Sequence, residues 1–230
     1  MEKNIVIQSK ELYKIYNPDT IPVYALRNVS VEIDSGGFVA VVGPSGSGKT
    51  TFLNIVGGLD QPTSGSIIVD GKLLTGLPEN ELINFRRDHI GFVFQSYNLI
   101  PVLSARENAE FVMLLQGKSK EERKARIDYL LEAVGIMDKA NNRPGELSGG
   151  QQQRVAVARA LAPKPAFVLA DEPTANLDTK AAYLLLDMME QLNKEENITF
   201  VFSTHDARVM ERARRIITLV DGAVYSDETR

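Results

Sequence analysis

Short apolar runs alternate along the chain with stretches that have helical spacing. The run FVAVVG at residues 38–43 is apolar and β-branched and ends at glycine, and AFVLAD, ITFVFST and RIITLV have the same character later in the chain. Such runs are typical of strands that are buried on both faces. The pattern therefore predicts four strands in a buried sheet.

Helical segments lie between the predicted strands. A helix is predicted from about residue 49 to residue 56, and TKAAYLLLDMMEQLNKEE separates two of the strands. SARENAEFVMLLQ and SKEERKARIDYLLEAVG are also helical in pattern, and each opens at a serine that can cap a helix. Residues 5–33 instead contain alternating runs such as VSVEI, which indicate antiparallel strands. The recurrence of strand, helix and strand favours a largely parallel α/β sheet.

Composition limits the possible classes of protein. With 230 residues, 43% of them hydrophobic, the chain can bury the core of one large domain or of a domain with a subdomain. It has no cysteine, which excludes disulfides and thiolate metal sites and fits a reducing compartment. The net charge is -4 with no basic block, so no nucleic-acid partner is expected. No apolar run approaches the roughly 18 residues of a membrane span, so we expect a soluble chain.

The stretch GPSGSGKTT lies at the junction of a predicted strand and a predicted helix. It completes the pattern G-x-x-x-x-G-K-[ST], in which glycines let successive backbone N–H groups face inward as an anion nest. The positive end of the following helix reinforces this nest. An ordinary glycine-rich turn is the alternative, and the strand and helix around it make that alternative less favourable. The predicted phosphate-binding residues are Gly43, Pro44, Ser45, Gly46, Ser47, Gly48, Lys49, Thr50 and Thr51.

Two acidic residues provide the expected partners of this phosphate-binding loop, the P-loop. In a P-loop the lysine, here Lys49, reaches the β- and γ-phosphates, and the hydroxyl of Thr50 ligates Mg²⁺. FVLADE places Asp171 and Glu172 at the C-terminal end of a strand, where open α/β sheets gather their ligands. Asp171 can hold Mg²⁺ through water, and Glu172 can accept a proton from an attacking water as a general base. A solvated acidic pair before a turn is the alternative.

The stretch LSGGQQQRVAVARAL resembles the signature of the ATP-binding-cassette (ABC) ATPases, whose LSGGQ occurs unaltered at residues 147–151. Its serine can cap a helix, and the glycine amides beside it make a second anion site. In that family each ATP lies between the P-loop of one subunit and the signature of its partner. The resemblance therefore implies a homodimer on ATP binding, in which the nucleotide of the other copy contacts Ser148, Gly149, Gly150 and Gln151.

Three more residues match functional positions of the family. Gln95 in GFVFQ matches the Q-loop glutamine, which touches Mg²⁺ and the attacking water. His205 in FSTHD matches the switch histidine, which contacts the γ-phosphate. Asp178 in ANLD matches the D-loop that crosses the dimer interface, although this aspartate could equally cap a helix. The resemblance thus implies catalytic roles for Glu172, His205, Gln95 and Lys49, and Mg²⁺ ligation by Thr50, Gln95 and Asp171.

Aromatic and histidine residues outside these motifs are less specific. Tyr16, upstream of YALRNVSVEI, lies where the family has its adenine-stacking aromatic residue. Tyr13 and Tyr24 are nearby residues of the core or the surface. His89 in RRDHIGF matches no functional position, and we interpret it as a surface or packing residue.

The resemblance covers almost the whole chain and implies a fold. That fold is an α/β P-loop NTPase core with a mostly parallel sheet, an N-terminal antiparallel β subdomain and an inserted α-helical subdomain. Residues 1–230 would then form a single ABC ATP-binding domain. Its core would comprise 1–95 and 156–230, and its helical subdomain with the signature would comprise 96–155.

A finer resemblance points to one branch of the family. NFRRDHIGFVFQSYNLIPVLSARENAEFVMLL and GGLDQPTSGSIIVDG resemble the ATPases of the lipoprotein-releasing and macrolide-exporting group, written LolD- and MacB-like. This implies an FtsX- or MacB-like transmembrane permease as partner, and a cytoplasmic protein attached peripherally to the inner membrane. An FtsE-like regulator of a cell-envelope hydrolase, with no transported substrate, is the alternative. Residues that bind only ATP and a permease do not specify what is moved.

Two other ATPase classes share some of the motifs. A P-loop small-molecule kinase has the phosphate-binding loop but no use for LSGGQ or for Glu172. DNA-repair and chromosome-structure ATPases separate the P-loop from the signature by a long coiled coil, whereas fewer than a hundred residues without sustained heptads intervene here. Both classes therefore fit less well.

The family docks a cytoplasmic helix of its permease in a groove between the core and the helical subdomain. That groove maps here to residues 95–115, which include SYNLIPVLSARENAEFVMLL. Because this segment is rich in apolar and aromatic residues, we expect an exposed docking surface. Packing of Tyr97, Leu99, Ile100 and Leu103 inside the subdomain's own core is the alternative.

Overall fold

The computed structural model describes residues 4–230, which form two β-sheets and seven α-helices. The strands are β1 (Ile5–Tyr16), β2 (Val23–Asp34), β3 (Phe38–Val42), β4 (Ser64–Val69), β5 (Lys72–Leu73), β6 (Ile90–Val93), β7 (Phe167–Asp171), β8 (Thr199–Ser203), β9 (Arg215–Val220) and β10 (Ala223–Thr229). The helices are α1 (Lys49–Val56), α2 (Glu79–His89), α3 (Ala105–Leu115), α4 (Lys120–Ala133), α5 (Gly149–Leu161), α6 (Thr179–Glu196) and α7 (Ala207–Arg212).

The larger sheet is mostly parallel, as predicted. Its strand order is β10-β9-β3-β8-β7-β6, in which only β10 runs antiparallel to its neighbour. Every residue of β3 and of β8 is buried. This burial on both faces explains why both strands appear in the sequence as continuous apolar runs.

The smaller sheet is antiparallel and has the order β2-β1-β4-β5. It confirms the antiparallel strands predicted within residues 5–33 and adds β4 and β5 to them. Strand β1 ends at Tyr16, which pairs across the sheet with Val23. This end of the sheet lies beside the P-loop, so the smaller sheet forms one wall of the cavity described below.

Two large hydrophobic cores and a smaller cluster that includes Ala40 and Ile216 lie against the larger sheet, and alternate residues of β7 belong to the two large cores. Phe167 and Leu169 belong to the core shared with α1, α2 and the smaller sheet. Val168 and Ala170 belong to the core shared with α3, α4, α5 and α6. Since successive side chains of a strand point to opposite faces, the larger sheet is covered on both faces.

The helix starts follow local capping rules. Ser104, Ser119 and Ser148 each form a capping box at the start of α3, α4 and α5. Helices α1 and α6 have the predicted bounds. Helix α5 runs through the predicted boundary between residues 155 and 156, so it joins the helical subdomain to the core. Residues 4–230 contain no helix that is both long and apolar enough to span a bilayer.

Helices α2 and α7 were not predicted from the sequence. Of the eleven residues of α2, only Leu82 and Phe85 are buried, so the helix lacks a continuous apolar stripe. Helix α7 has six residues and buries only Val209. Helices this polar or this short have no distinctive hydrophobic period.

The chain positions its functional residues at one edge of the larger sheet. The Glu172 amide, just after β7, donates to the Ser203 carbonyl at 2.8 Å, and the Thr204 amide, just after β8, donates to the Val41 carbonyl at 3.1 Å. The ends of β3, β7 and β8 therefore lie side by side. The P-loop begins directly after β3 at this same edge.

Candidate active site

A cavity of about 700 Å³ opens at this edge of the sheet. Its wall on the side of the smaller sheet is formed by Tyr16, Val23, Tyr24 and Ala25. The remaining wall brings together residues from four separate parts of the sequence: 43–51, Gln95, Glu172 with Ala175, and Ser203 with His205. Every predicted residue of the P-loop lines the cavity.

The P-loop has a conformation that only glycine tolerates at two of its positions. Gly43 has φ 149°, and a Cβ atom there would lie 2.1 Å from the Leu219 carbonyl oxygen. Gly48 has φ 98° and precedes α1, and its Cβ would lie 2.4 Å from the Ala25 carbonyl oxygen. The glycines therefore let the loop curl tightly against two neighbouring strands.

The cation of the P-loop is held over the loop itself. Lys49 Nζ donates hydrogen bonds to the carbonyl oxygens of Gly43 and Pro44, both at 2.9 Å. The ammonium group thus lies within the predicted phosphate site. Ser47 is buried, and its hydroxyl has no hydrogen-bond partner among the residues that the structure describes.

Oxygen ligands suitable for Mg²⁺ converge below the loop. Thr50 Oγ1 lies 3.4 Å from each carboxylate oxygen of Asp171, although 121 positions separate the two residues in sequence. Thr50 and Gln95 line the cavity, whereas Asp171 is not among the described residues that line it. Hydroxyl, carboxylate and amide oxygens are the ligands that Mg²⁺ prefers, so the donor set fits this cation.

Glu172 and His205 form a pair at the mouth of the cavity. His205 Nδ1 lies 2.7 Å from Glu172 Oε1, and Thr204 Oγ1 donates to Glu172 Oε2 at 3.1 Å. Glu172 has φ 46°, an unusual backbone conformation for a residue other than glycine. The side chain of Glu172 is 17% exposed and that of His205 is 77% exposed. The carboxylate is therefore fixed and partly shielded, while the imidazole faces the cavity opening.

Asp206 directly follows His205 and anchors the start of α7. Its carboxylate accepts a hydrogen bond from Thr174 Oγ1 at 2.5 Å and a bidentate pair from Arg208. Burial raises the pKa of Asp206, but the bonds from Arg208 and Thr174 outweigh burial and lower that pKa to about 2. Asp206 also caps α7. This residue was not predicted from the sequence, where it is only the polar neighbour of His205.

The segment after Gln95 is held on both sides. Asn176 Nδ2 donates to the Gln95 carbonyl at 2.9 Å, and Arg159 on α5 donates to the carbonyls of Tyr97 and Asn98. Tyr97 and Asn98 both have positive φ, 59° and 50°. The guanidinium therefore stabilises a sharp bend next to the predicted Q-loop glutamine. Sequence reasoning missed Arg159, because its partners are backbone carbonyls about 60 residues away.

The signature lies outside this cavity. Residues 148–151 are not among the described residues that line it, and neither is Asp178. Ser148 caps α5, accepting a hydrogen bond from the Gln151 amide at 3.3 Å. Asp178 caps α6 through the Ala181 amide at 2.8 Å, so the capping interpretation of this aspartate is confirmed. One chain thus carries a P-loop and a signature that do not face the same cavity.

The tyrosines near the P-loop and His89 have different surroundings in the fold. Tyr16 and Tyr24 line the cavity, whereas Tyr13 does not. His89 stacks on Phe85 with ring centroids 4.4 Å apart, and its Nδ1 lies 2.9 Å from Asp70 Oδ2. His89 is therefore a packing residue at the surface.

A second cavity, of about 380 Å³, lies between β6 and the helical subdomain, and we call it the groove. The predicted segment 95–115 contributes only Asn98, Val112 and Leu115 to it. Leu99 instead packs against the core, so the alternative interpretation holds for this residue. The groove is completed by Leu59, Arg86, Arg87, Ile90, Gly91, Phe92, Phe94, Arg159, Ala160 and Pro163.

Known proteins resemble this chain over nearly its whole length. The ABC transporter family model matches residues 26–175. The lipoprotein-releasing system ATP-binding protein LolD of Legionella pneumophila (strain Lens) is 41% identical over 98% of this chain and 99% of that protein. The macrolide export ATP-binding/permease protein MacB of Mannheimia succiniciproducens is 44% identical over 96% of this chain, which spans 34% of that protein.

A solved structure has the same architecture. It is a dimeric ATP-binding cassette of Methanocaldococcus jannaschii in a post-hydrolysis state, bound to ADP and Pi. The two folds agree with a TM-score of 0.89 and 44% sequence identity, over 97% of this chain and 98% of that chain.

Proposed function

The chain belongs to the ABC transporter family as an ATPase subunit of the LolD/MacB type, and we propose that two copies enclose two ATP molecules and drive an FtsX-like membrane permease. The proposal of a dimer rests on one observation: the signature lies outside the cavity that the P-loop lines. A nucleotide in that cavity gains contacts to a signature only from a second copy of the chain. The related dimeric cassette, bound to ADP and Pi, supports this arrangement.

In this proposal the P-loop, Glu172 and His205 have separate parts in hydrolysis. The backbone amides of the P-loop and Lys49 bind the β- and γ-phosphates. Glu172 accepts a proton from the water whose oxygen attacks the γ-phosphorus, and the bond from that phosphorus to the bridging oxygen of ADP breaks. His205, fixed through its Nδ1 to Glu172, is the group available to contact the γ-phosphate.

Mg²⁺ held by Thr50, Asp171 and Gln95 would neutralise negative charge on the β- and γ-phosphates. The chain's own contribution is to bring these oxygen ligands from three separate segments to one side of the P-loop. Gln95 is additionally tied through its carbonyl to Asn176, a neighbour of Asp178. The position of Gln95 is therefore coupled to the segment expected to meet the second copy.

The proposal is tested by a variant that binds ATP without hydrolysing it. Because an amide cannot accept the proton of water, Glu172→Gln should lower kcat by at least about 100-fold and keep ATP and Mg²⁺ binding. Size-exclusion chromatography with ATP should then show a dimer, and chromatography without ATP a monomer. Lys49→Ala is the matched control, because it removes the phosphate-binding cation and should give neither dimer nor hydrolysis.

Two results would contradict the proposal. Normal turnover by Glu172→Gln would exclude this glutamate as the base. A monomer that holds ATP tightly at high protein concentration would exclude the shared site.

The permease is proposed to dock in the groove. The groove is lined by apolar and aromatic side chains and three arginines, and Leu59 and Leu115 in its wall are 47% and 57% exposed. Exposed apolar surface of this kind marks a protein-binding site. Docking there would place the chain on the cytoplasmic face of the inner membrane as a peripheral subunit, in keeping with the LolD and MacB relatives.

A further inference from the structure

Tyr16, the proposed adenine-stacking residue, is attached to the loop that follows the P-loop helix. Its hydroxyl donates a hydrogen bond to Asp60 Oδ2 at 2.7 Å. Asp60 lies four residues after the end of α1, on a different part of the chain from the strand that carries Tyr16. The aromatic ring is therefore connected to the phosphate site by a side-chain contact across 44 positions in sequence.

Lys14 completes this contact from the same strand as Tyr16. Its ammonium group donates to Asp60 Oδ1 at 2.6 Å and to the Gln61 carbonyl at 2.8 Å. The same nitrogen lies over the Tyr16 ring, 4.8 Å from its centroid. The Lys14 side chain is only 13% exposed. One face of the ring is thus covered by a cation, and the opposite face is the one that a planar base can use.

Asp60 is itself held rigidly. The amides of Leu59 and Asp60 both donate to the Asn54 carbonyl on α1, at 2.8 and 3.2 Å, and the Gln61 amide donates to Asp60 Oδ1 at 2.7 Å. Burial raises the pKa of Asp60, but the bonds from Lys14, Tyr16 and Gln61 outweigh it and keep that pKa below its usual value. The carboxylate is therefore ionised at neutral pH and accepts three hydrogen bonds.

We propose that Asp60, together with Lys14, is a positioning residue that fixes the Tyr16 ring at the cavity wall before nucleotide arrives. This rests on the proposed function, because it takes Tyr16 as the residue on which the adenine stacks. Immobilising a side chain on binding opposes association, so a ring that is already fixed binds the base more tightly. Asp60 and Lys14 are not among the described residues that line the cavity, so they reach a bound nucleotide only through Tyr16, whose hydroxyl also has a side-chain hydrogen bond with Thr51 of the P-loop.

Tyr16→Phe tests the contact because it keeps the aromatic ring and removes only the hydroxyl. We expect the KM for ATP to rise about three- to ten-fold while kcat stays at its wild-type value. Asp60→Ala should give the same split, and the KM of the double variant should be no higher than that of Tyr16→Phe, because both changes remove the hydrogen bond between Tyr16 and Asp60. Tyr13→Phe is the matched control, since Tyr13 lies on the same strand and is 37% exposed against 36% for Tyr16.

Inorganic tripolyphosphate separates positioning of the base from damage to the P-loop. It has no base, so its inhibition constant against the ATPase should be equal in the wild type, Tyr16→Phe and Asp60→Ala. A parallel loss of tripolyphosphate and ATP affinity in Asp60→Ala would show that Asp60 only supports α1, and would overturn the proposal. An unchanged KM for ATP in Tyr16→Phe would overturn it as well.

Tyr16→Ala distinguishes this proposal from the function on which it rests. This variant removes the stacking surface and should raise the KM for ATP more than Tyr16→Phe does. If Tyr16→Ala weakens ATP binding but Tyr16→Phe and Asp60→Ala do not, the stacking role stands and the positioning role falls. If Tyr16→Ala leaves ATP binding unchanged, the assignment of Tyr16 to the adenine falls first.

Discussion

Glu172 shows how a single residue combines strain with function. Its φ of 46° is unfavourable for a side chain of this kind, and the bonds from Thr204 and His205 compensate by holding the carboxylate in place. Strained backbone of this type costs about 1–3 kcal/mol and concentrates at functional sites. The hydrogen bonds of Asp206 to Thr174 and Arg208, by contrast, stabilise its ionised form in the folded chain and outweigh the effect of burial.

Asp206→Asn should destabilise the protein in a pH-dependent way. The pKa of Asp206 is about 2 in the folded chain against an ordinary value of 3.8, so its ionised form stabilises the fold above about pH 4. That contribution is lost as the pH falls towards 2. Loss of the charge-assisted bonds to Thr174 and Arg208 should lower the free energy of unfolding by about 1–2 kcal/mol at pH 7.

Urea denaturation of wild type and variant between pH 7 and pH 3 measures this effect. We expect the gap between the two unfolding free energies to narrow as the pH falls. Asp138→Asn is the control, because that side chain is 72% exposed and should give a small gap at every pH. If the difference in unfolding free energy between wild type and Asp206→Asn does not change with pH, the charge of Asp206 does not account for its effect on stability.

Among the elements, α5 connects the site to the groove. It begins at the capping serine of the signature, holds the bend after Gln95 through Arg159, and packs against β6. The close approach of α5 and β6 depends on Gly91. A Cβ atom at this position would lie 2.5 Å from the Ala160 carbonyl oxygen and 3.0 Å from Val168 Cγ2.

Gly91→Ala should therefore force β6 and α5 apart. Because the nearest atom belongs to the backbone and cannot rotate away, we expect a loss of about 1–3 kcal/mol in the free energy of unfolding. ATPase activity should fall as well, since β6 leads directly to Gln95. Thermal or urea unfolding and steady-state ATPase rates measure the two effects.

Gly145→Ala is the matched control for this variant. A Cβ at Gly145 meets nothing within 4 Å, so both stability and activity should stay close to those of the wild type. If Gly91→Ala and Gly145→Ala have equal free energies of unfolding, the close approach of β6 and α5 does not contribute to stability.

For the whole molecule, the separation of P-loop and signature predicts an activity that only a dimer possesses. Ser148→Arg places a large cation at the N-terminus of α5, which lies outside the chain's own cavity. The monomer should keep ATP affinity within about two-fold, and hydrolysis should be lost because the signature serves the nucleotide of the other copy.

Mixing Ser148→Arg with Lys49→Ala, each inactive alone, tests the arrangement directly. A heterodimer has one site with a native P-loop and a native signature, so mixing should restore hydrolysis that neither variant shows alone, up to at most about a quarter of the wild-type activity, which random pairing would give. Strong loss of ATP affinity in the Ser148→Arg monomer would contradict the shared site.

The groove predicts a second intermolecular contact. Leu115→Asp should leave the isolated chain folded and hydrolysing ATP, because this leucine is 57% exposed and remote from the P-loop in the fold. It should abolish copurification with an FtsX-like permease and any stimulation by it. Leu184→Asp on α6, a leucine that is 45% exposed and does not line the groove, is the matched control. Retained binding of the permease by Leu115→Asp would exclude the groove as the docking site.

The identity of the copurifying membrane protein also separates the two branches considered from the sequence. A permease with four transmembrane helices and a large extracytoplasmic domain is expected for a transporter of the LolD/MacB type. Recovery with a cell-envelope hydrolase and no transported substrate would favour the FtsE-like role.

The sequence by itself determined the features that depend on neighbouring residues. Helices α1 and α6 have their predicted bounds, and Ser104 and Ser119 cap the helices that they were expected to start. The P-loop was predictable because its glycines, lysine and threonines are consecutive, and their backbone requirements act over a few bonds. Polar elements such as α2 and β10 were not predicted, because an element that buries few side chains has no periodic pattern of hydrophobic residues.

Tertiary structure alone decided which distant residues meet. The strand order β10-β9-β3-β8-β7-β6 places Thr50 beside Asp171 and Glu172 beside His205. P-loop chemistry indicated the first pair from the sequence, and only a family resemblance indicated the position of His205. No resemblance indicated the bonds of Asp60 to Tyr16 or of Arg159 to the bend at Asn98. The physical reason is that backbone preference and capping act within a turn or two of chain, whereas hydrogen bonds between segments exist only after both sheets have packed.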